Sequence, residues 1–274
     1  MTPPPIFEPA GDWFDPEIRR FVRIDAADPP PKRAALFVGS SIFREWREIR
    51  DFDADFAPTR VINRAFGGST TEDLLRVVDA IATPHDPEII VYYCGSNDVN
   101  EGRGAAAIRD AFAAFCDRGE TASHTTPFAW CTPFLKDFSR RHSSPALPFQ
   151  RLTVGPRVER ILFVSVCKAP QKMPVWDEVD AVNDAMRAHC AANAPRLTYV
   201  EVNPGLFEEG SSSPGSPPRP RFNLYREDGL HFVDRAYDDV LLPVIKAALE
   251  RALGEVKAAR GEGEAAHLPP GMRR

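Results

Sequence analysis

An α/β fold, a three-layer αβα sandwich around a five-stranded parallel sheet, is predicted by two features of the chain. Five short apolar runs are continuous rather than alternating, as strands covered on both faces require, and helical patterns separate them almost throughout. In chain order, a first helix over Pro16 to Ile24 leads to a strand over Ala34 to Val38 and a helix over Ser41 to Arg47. The second strand, Thr59 to Ile62, is followed by a helix over Thr71 to Ile81. The third, Glu88 to Tyr93, is followed by Ala105 to Phe115. The fourth, Arg160 to Val166, is followed by Val175 to Cys190, and the fifth, Leu197 to Val202, by a closing helix over Arg235 to Leu253. The alternation makes right-handed crossovers and a parallel sheet the natural arrangement.

One domain is expected over residues 1–254, with three additions to the frame. Residues 118–159 form a long insertion with scattered aromatics, 210–218 form a low-complexity Ser/Pro/Gly loop, and 255–274 read as a charged, disordered tail. A formal net charge of -5 argues against nucleic acid or an anionic membrane surface as the main partner, because either favours a concentrated basic face. The opening MTPPPIFEPAGDWFDPE lacks the basic start and apolar stretch of a secretory signal, and no later run has the length of a membrane span. The expectation is a cytoplasmic protein without stable membrane insertion. Five widely spaced cysteines without CxxC pairs suggest reduced, buried thiols rather than a disulfide framework or a zinc site.

In an open parallel sheet the ligand crevice lies outside the carboxyl ends of the strands. Four polar clusters fall at that rim: Gly39-Ser40-Ser41, Gly67-Gly68-Ser69-Thr70, Gly95-Ser96-Asn97-Asp98, and Asp228-Gly229-Leu230-His231 after the last strand. A serine needs a neighbour to take its proton before it becomes a useful nucleophile. His85 precedes a strand at the opposite end, His189 lies within a helix, His124 and His142 belong to the insertion, and His267 belongs to the tail. His231 remains, with Asp228 one helical turn before it to orient the ring. Three donors are available for an oxyanion: the backbone N–H of Gly68, the side-chain amide of Asn97 and the backbone N–H of Ser41.

Each cluster also has an ordinary reading, since Ser, Thr, Asn and Asp are common helix caps and Gly-Gly is a common turn. In combination they resemble the SGNH (GDSL-type) hydrolases, a superfamily named for Ser, Gly, Asn and His in four blocks. The blocks read FVGSSIF, NRAFGGST, YCGSND and DGLH, and the flanking ADPPPK, SSIFREW, VINRAFGGSTTEDLL, SVCKAP and DGLHFVDRAY resemble a subgroup with GSS in place of GDS. The likeness covers most of residues 17–250. Ser40 stands where the GDS signature has Asp, and Ala65 where the subgroup often has Gly.

The resemblance implies a flavodoxin-like fold and a metal-independent serine hydrolase of acyl esters, acetyl esters among them, of a carbohydrate, lipid or small alcohol. It assigns Ser41, Asp228 and His231 as the triad and Ser41, Gly68 and Asn97 as the oxyanion hole, with no cofactor. Trp176, on the connection after the fourth strand, and Arg221, in the loop 203–227, are further candidates for substrate contact because both connections reach the active rim. The 118–159 insertion starts at the far end, which speaks against a lid. Two rival readings use the same residues: a silent carbohydrate- or lipid-binding module on the same fold, and a phosphate or metal site built on Gly67 to Thr70 with Asp98, Asp228 and His231. The absence of GxxxxGK[ST] and of metal-ligand spacing weighs against the second.

Overall fold

The computed structural model describes residues 14–121, 158–210 and 218–262. Five parallel strands, β1 (Ala35–Gly39), β2 (Val61–Asn63), β3 (Ile89–Tyr93), β4 (Arg160–Val164) and β5 (Leu197–Val200), form one sheet in the order β2-β1-β3-β4-β5. The helices are α1 (Asp15–Ala27), α2 (Ser41–Ile49), α3 (Phe52–Phe56), α4 (Thr71–Ile81), α5 (Ser96–Asn100), α6 (Ala105–Thr121), α7 (Trp176–Ala192) and α8 (Leu242–Ala259). A short helical turn, Asp234–Ala236, and a π-helical turn, Tyr237–Leu241, lead into α8.

The strands read as unbroken apolar runs because successive side chains feed two different cores. Leu36, Val38, Ile90, Tyr92, Ile161 and Phe163 pack against α1, α4, α6 and α7. Ala35, Phe37, Val91, Tyr93, Leu162 and Val164 face the other way, onto α2, α3 and α8. Both faces of the sheet are therefore dry, which is the pattern expected for parallel strands under helices. The strand order reverses direction between β1 and β3, and this switch point opens at the strand ends Gly39 and Tyr93.

Gly39 itself is dictated by close approach. A Cβ built there would lie 2.2 Å from the Tyr93 carbonyl oxygen, an atom fixed in β3. Gly39→Ala is expected to cost about 3 kcal/mol or more, a fall of roughly 6–12 °C in Tm for a chain of this size. Thermal and denaturant unfolding of the variant measure this directly, and a Tm within about 2 °C of wild type would refute it.

One expected boundary is corrected. The closing helix does not stop at Leu253 but runs to Ala259, because fully buried Val256 still faces the core and Arg260 pairs with Glu88 and Glu159. The short α3 and α5 were not expected from the apolar pattern, since five residues carry too little of a 3.6-residue period to be recognised. The expected insertion and loop fall mainly on residues 122–157 and 211–217, outside the described residues. Among the described residues, no helix is long and apolar enough to cross a membrane.

Candidate active site

Ser41 stands at the first position of α2, directly after the Gly39-Ser40 break in β1. The Ser40 side chain makes no capping bond to α2. Its backbone N–H instead donates to the Tyr93 carbonyl at 3.1 Å, so the β1–β3 pairing holds the chain up to the residue before Ser41.

His231 approaches from a tight loop between Leu224 and Val233. Antiparallel bonds close this loop: Val233 N–H to the Leu224 carbonyl at 3.0 Å, and Arg226 N–H to the His231 carbonyl at 2.8 Å. The DGLH spacing suggested one helical turn, whereas the structure forms a bend in which one Asp228 carboxylate oxygen accepts from the Leu230 and His231 N–H groups, each at 2.9 Å. The local consequence is the same. The other carboxylate oxygen lies 2.6 Å from His231 Nδ1, while Nε2 lies 3.0 Å from Ser41 Oγ.

Because an ionised carboxylate only accepts, this chain of contacts places the ring proton on Nδ1 and leaves Nε2 as the acceptor for the serine hydroxyl. Burial works to raise the Asp228 pKa, but the His231 ring and the two backbone N–H groups outweigh it and hold the carboxyl at about 2. It is therefore ionised across the working range of most hydrolases. With its folded value lowered, any stability it lends is present above the ordinary carboxylate range and lost as the pH falls through about 2.

Three links register the His231 loop against the helix that carries Ser41. Tyr237 Oη donates to the Ile42 carbonyl at 3.1 Å, and Arg50, at the end of α2, reaches Asp234 and Asp238, each at 2.8 Å.

The Gly68 and Asn97 blocks are joined by a residue that sequence reasoning did not single out. Ser69 is fully buried; its Oγ lies 3.1 Å from the Gly39 carbonyl, and its own carbonyl accepts from Asn97 Nδ2 at 2.9 Å. One residue, through its hydroxyl and its carbonyl, thus joins the ends of β1, β2 and β3. Gly68 has φ +75°, a left-handed conformation that favours glycine and turns the exposed backbone toward the rim. Asp98 has a capping role instead: its buried carboxylate accepts from the Thr71 N–H at 3.1 Å and the Thr71 hydroxyl at 2.6 Å, fastening α5 to the start of α4. Burial raises the Asp98 pKa even against these bonds.

Glu45 was also missed. It lies one turn beyond Ser41 on the same face of α2, is only 6% exposed, and has a carboxylate oxygen 3.5 Å from His231 Nε2. Arg44 and Arg226 each reach this carboxylate at 3.2 Å. The signal was present as a lone acid in an otherwise apolar helix face, between Phe43 and Trp46.

Two expected substrate contacts are corrected. Trp176 is buried, its indole N–H donates to the Ala169 carbonyl at 3.0 Å, and its ring meets Phe207 edge-on, so it packs the connection rather than facing the rim. Arg221 spends its guanidinium on the Gly205 carbonyl at 2.9 Å and Asp239 at 2.7 Å, tying the loop base to the π-helical turn. His85 is buried at the start of β3, where burial lowers its pKa to about 4. No group of three or more His, Cys, Asp or Glu with metal-holding geometry occurs among the described residues.

The profile of the GDSL-like lipase/acylhydrolase family matches residues 37–238. No curated protein sequence matches the chain. Solved structures share its fold. A GDSL-like lipase from Bacteroides thetaiotaomicron superposes with a TM-score of 0.57 at 17% identity, covering 86% of this chain and 98% of that one. A candidate acylhydrolase from Bacteroides fragilis gives 0.60 at 15% identity, covering 90% and 100% respectively.

Proposed function

The chain belongs to the GDSL-like lipase/acylhydrolase family, a family of carboxylic ester hydrolases, and from that premise we propose that its ester hydrolysis runs through Ser41, His231 and Asp228. The observation that carries this reading is the unbroken series of contacts, 2.6 Å and then 3.0 Å, from the carboxylate through the ring to the serine hydroxyl at the sheet's switch point. His231 Nε2 takes the hydroxyl proton as Oγ attacks the acyl carbonyl, and then delivers it to the leaving alcohol. Water repeats the sequence on the acyl-enzyme, releasing the acid and restoring the serine. Asp228 keeps the ring in the productive tautomer and stabilises its cationic form.

The backbone N–H groups of Ser41 and Gly68 and the remaining amide N–H of Asn97 supply the oxyanion hole. Among the described residues neither backbone group donates elsewhere, and the Asn97 amide is held in place by Ser69. The substrate class is an acyl ester of a carbohydrate, lipid or small alcohol, with short acyl groups such as acetyl first to be tried.

The test is hydrolysis of p-nitrophenyl acetate, butyrate and octanoate, with and without EDTA, alongside labelling by a fluorophosphonate and mapping of the modified peptide. Chelator-resistant turnover with the label on Ser41 is the expected result. A label on another residue, or turnover abolished by EDTA, would sink the mechanism.

Glu45 gives a separate prediction. A buried carboxylate 3.5 Å from Nε2 stabilises the positive charge that forms on the ring during attack. Glu45→Gln is expected to lower kcat about 3- to 10-fold with KM little changed. A wild-type kcat would reduce Glu45 to an anchor for its two arginines.

A further inference from the structure

Lys172 lies in the 3₁₀ turn Pro170–Val175, which follows β4 at the same rim, and its side chain has no exposed surface. Its Nζ donates to the Ser96 carbonyl at 3.0 Å, at the head of α5 and one residue before Asn97. The adjacent residue of the same turn, Gln171, donates its N–H to the Gly229 carbonyl at 2.9 Å, inside the bend that joins Asp228 to His231. Two consecutive residues therefore brace the two halves of the site against each other.

A buried ammonium with one neutral acceptor is an expensive way to tie two segments together, because losing water penalises the charge and, among the described residues, no carboxylate pairs with it. The carboxylates of the surrounding elements are engaged elsewhere. Asp98 of α5 holds Thr71, Asp180 of α7 holds Lys168 at 2.5 Å, and Asp228 holds His231. Arg103, beyond α5, pairs with Glu72 and Glu101, and Asp177 at the start of α7 is exposed. Fold stability alone would be served as well by a neutral donor.

We propose that Lys172 is a positioning residue for ester hydrolysis, fastening the Ser96–Asn97 segment while its charge supplies a positive field behind the oxyanion donors. The inference rests on the assignment of Asn97 to the oxyanion hole. A fixed positive charge in a water-poor site stabilises the negative charge that develops on the carbonyl oxygen and does little for the neutral ground state. Its contribution therefore falls on kcat rather than on KM.

Burial brings the Lys172 pKa down to about 8, so the charge is present at neutral pH and is lost at mildly alkaline pH. The neutral amine still donates to Ser96, which separates the tether from the charge. Because the folded value is lowered, the folded state gains stability as pH rises from about 8 toward the ordinary lysine range.

The experiment compares the full chain with K172M, K172R and S41A on p-nitrophenyl acetate, following kcat, KM and Tm from pH 6 to 10. Wild-type kcat is expected to decline above about pH 8. K172M should lose kcat about 10- to 100-fold with KM within about threefold, show no such decline, and have an unchanged or higher Tm at pH 7. K172R should keep more of the activity and hold it to higher pH.

Wild-type kcat in K172M would overturn the proposal. So would activity losses in K172M and K172R that both follow a drop in Tm, which would mark a packing role alone. If S41A retains turnover, the serine mechanism itself fails. If S41A is inactive while K172M is unimpaired, only the role of Lys172 is lost.

Discussion

Ser41→Ala is expected to lower kcat by roughly 10⁴- to 10⁶-fold while leaving the protein folded. The size follows from what is removed: among the described residues no other hydroxyl is held on His231 Nε2, and without the covalent acyl-enzyme only the oxyanion donors and substrate binding remain to act on water. The fold should be indifferent, because the Ser41 side chain is half-buried and its hydroxyl bond to His231 lies at the edge of the core. Alanine is also the strongest helix former, and position one of α2 asks nothing of its side chain. A Tm within about 2 °C of wild type should accompany the loss. Turnover within tenfold of wild type would remove Ser41 from the mechanism. Combining Ser41→Ala with His231→Ala should add almost nothing to the loss from either, since the two act on one proton.

The second large effect is expected at Asp228, where Asn should cost about 10³- to 10⁴-fold in kcat. The replacement keeps one oxygen for the Leu230 and His231 N–H groups, so the bend survives. What changes is the group facing Nδ1: an amide N–H there selects the tautomer with the proton on Nε2, which cannot accept from the serine. The carboxyl is held at about 2, so the acid limb of the wild-type profile should not follow its titration. Near-wild-type kcat for Asp228→Asn would mean that the ring is oriented by something else, and Glu45, on the other ring nitrogen, would be the first group to examine.

The frame of this molecule was legible because its signals are long or redundant. Each of the five apolar runs became a strand within about two residues, and the helix over Thr71 to Ile81 was read to the residue, since Thr70 and Asp73 form a capping box at its start. The contact among Ser41, His231 and Asp228 was legible because strand ends and chain order restrict which histidine can meet the serine, and those three side chains meet.

Glu45, Ser69 and Lys172 were not legible, and for a common reason. Each acts through a bond to a group far along the chain: Glu45 to Arg226, Ser69 to Gly39, Lys172 to Ser96. A sequence shows residue types, and it shows such partners only after the fold has placed them. Trp176 and Arg221 failed for the opposite reason. Topology put their connections at the rim, but it does not say which way a side chain turns, and both found partners inside the protein.

The bond between His231 and Ser41 joins residues 190 positions apart, and its alignment rests on Tyr237, Asp234 and Asp238, later still in the chain. During synthesis Ser41 therefore leaves the ribosome long before His231 exists, and on the proposed mechanism a chain stalled after β5 would carry the nucleophile with no means to activate it. On the proposed mechanism, hydrolytic competence arrives only once residues 231–238 have been made, rather than growing with length. Chains ended or cut before residue 231 would accordingly be inert toward esters on that mechanism, even where the whole sheet had already formed.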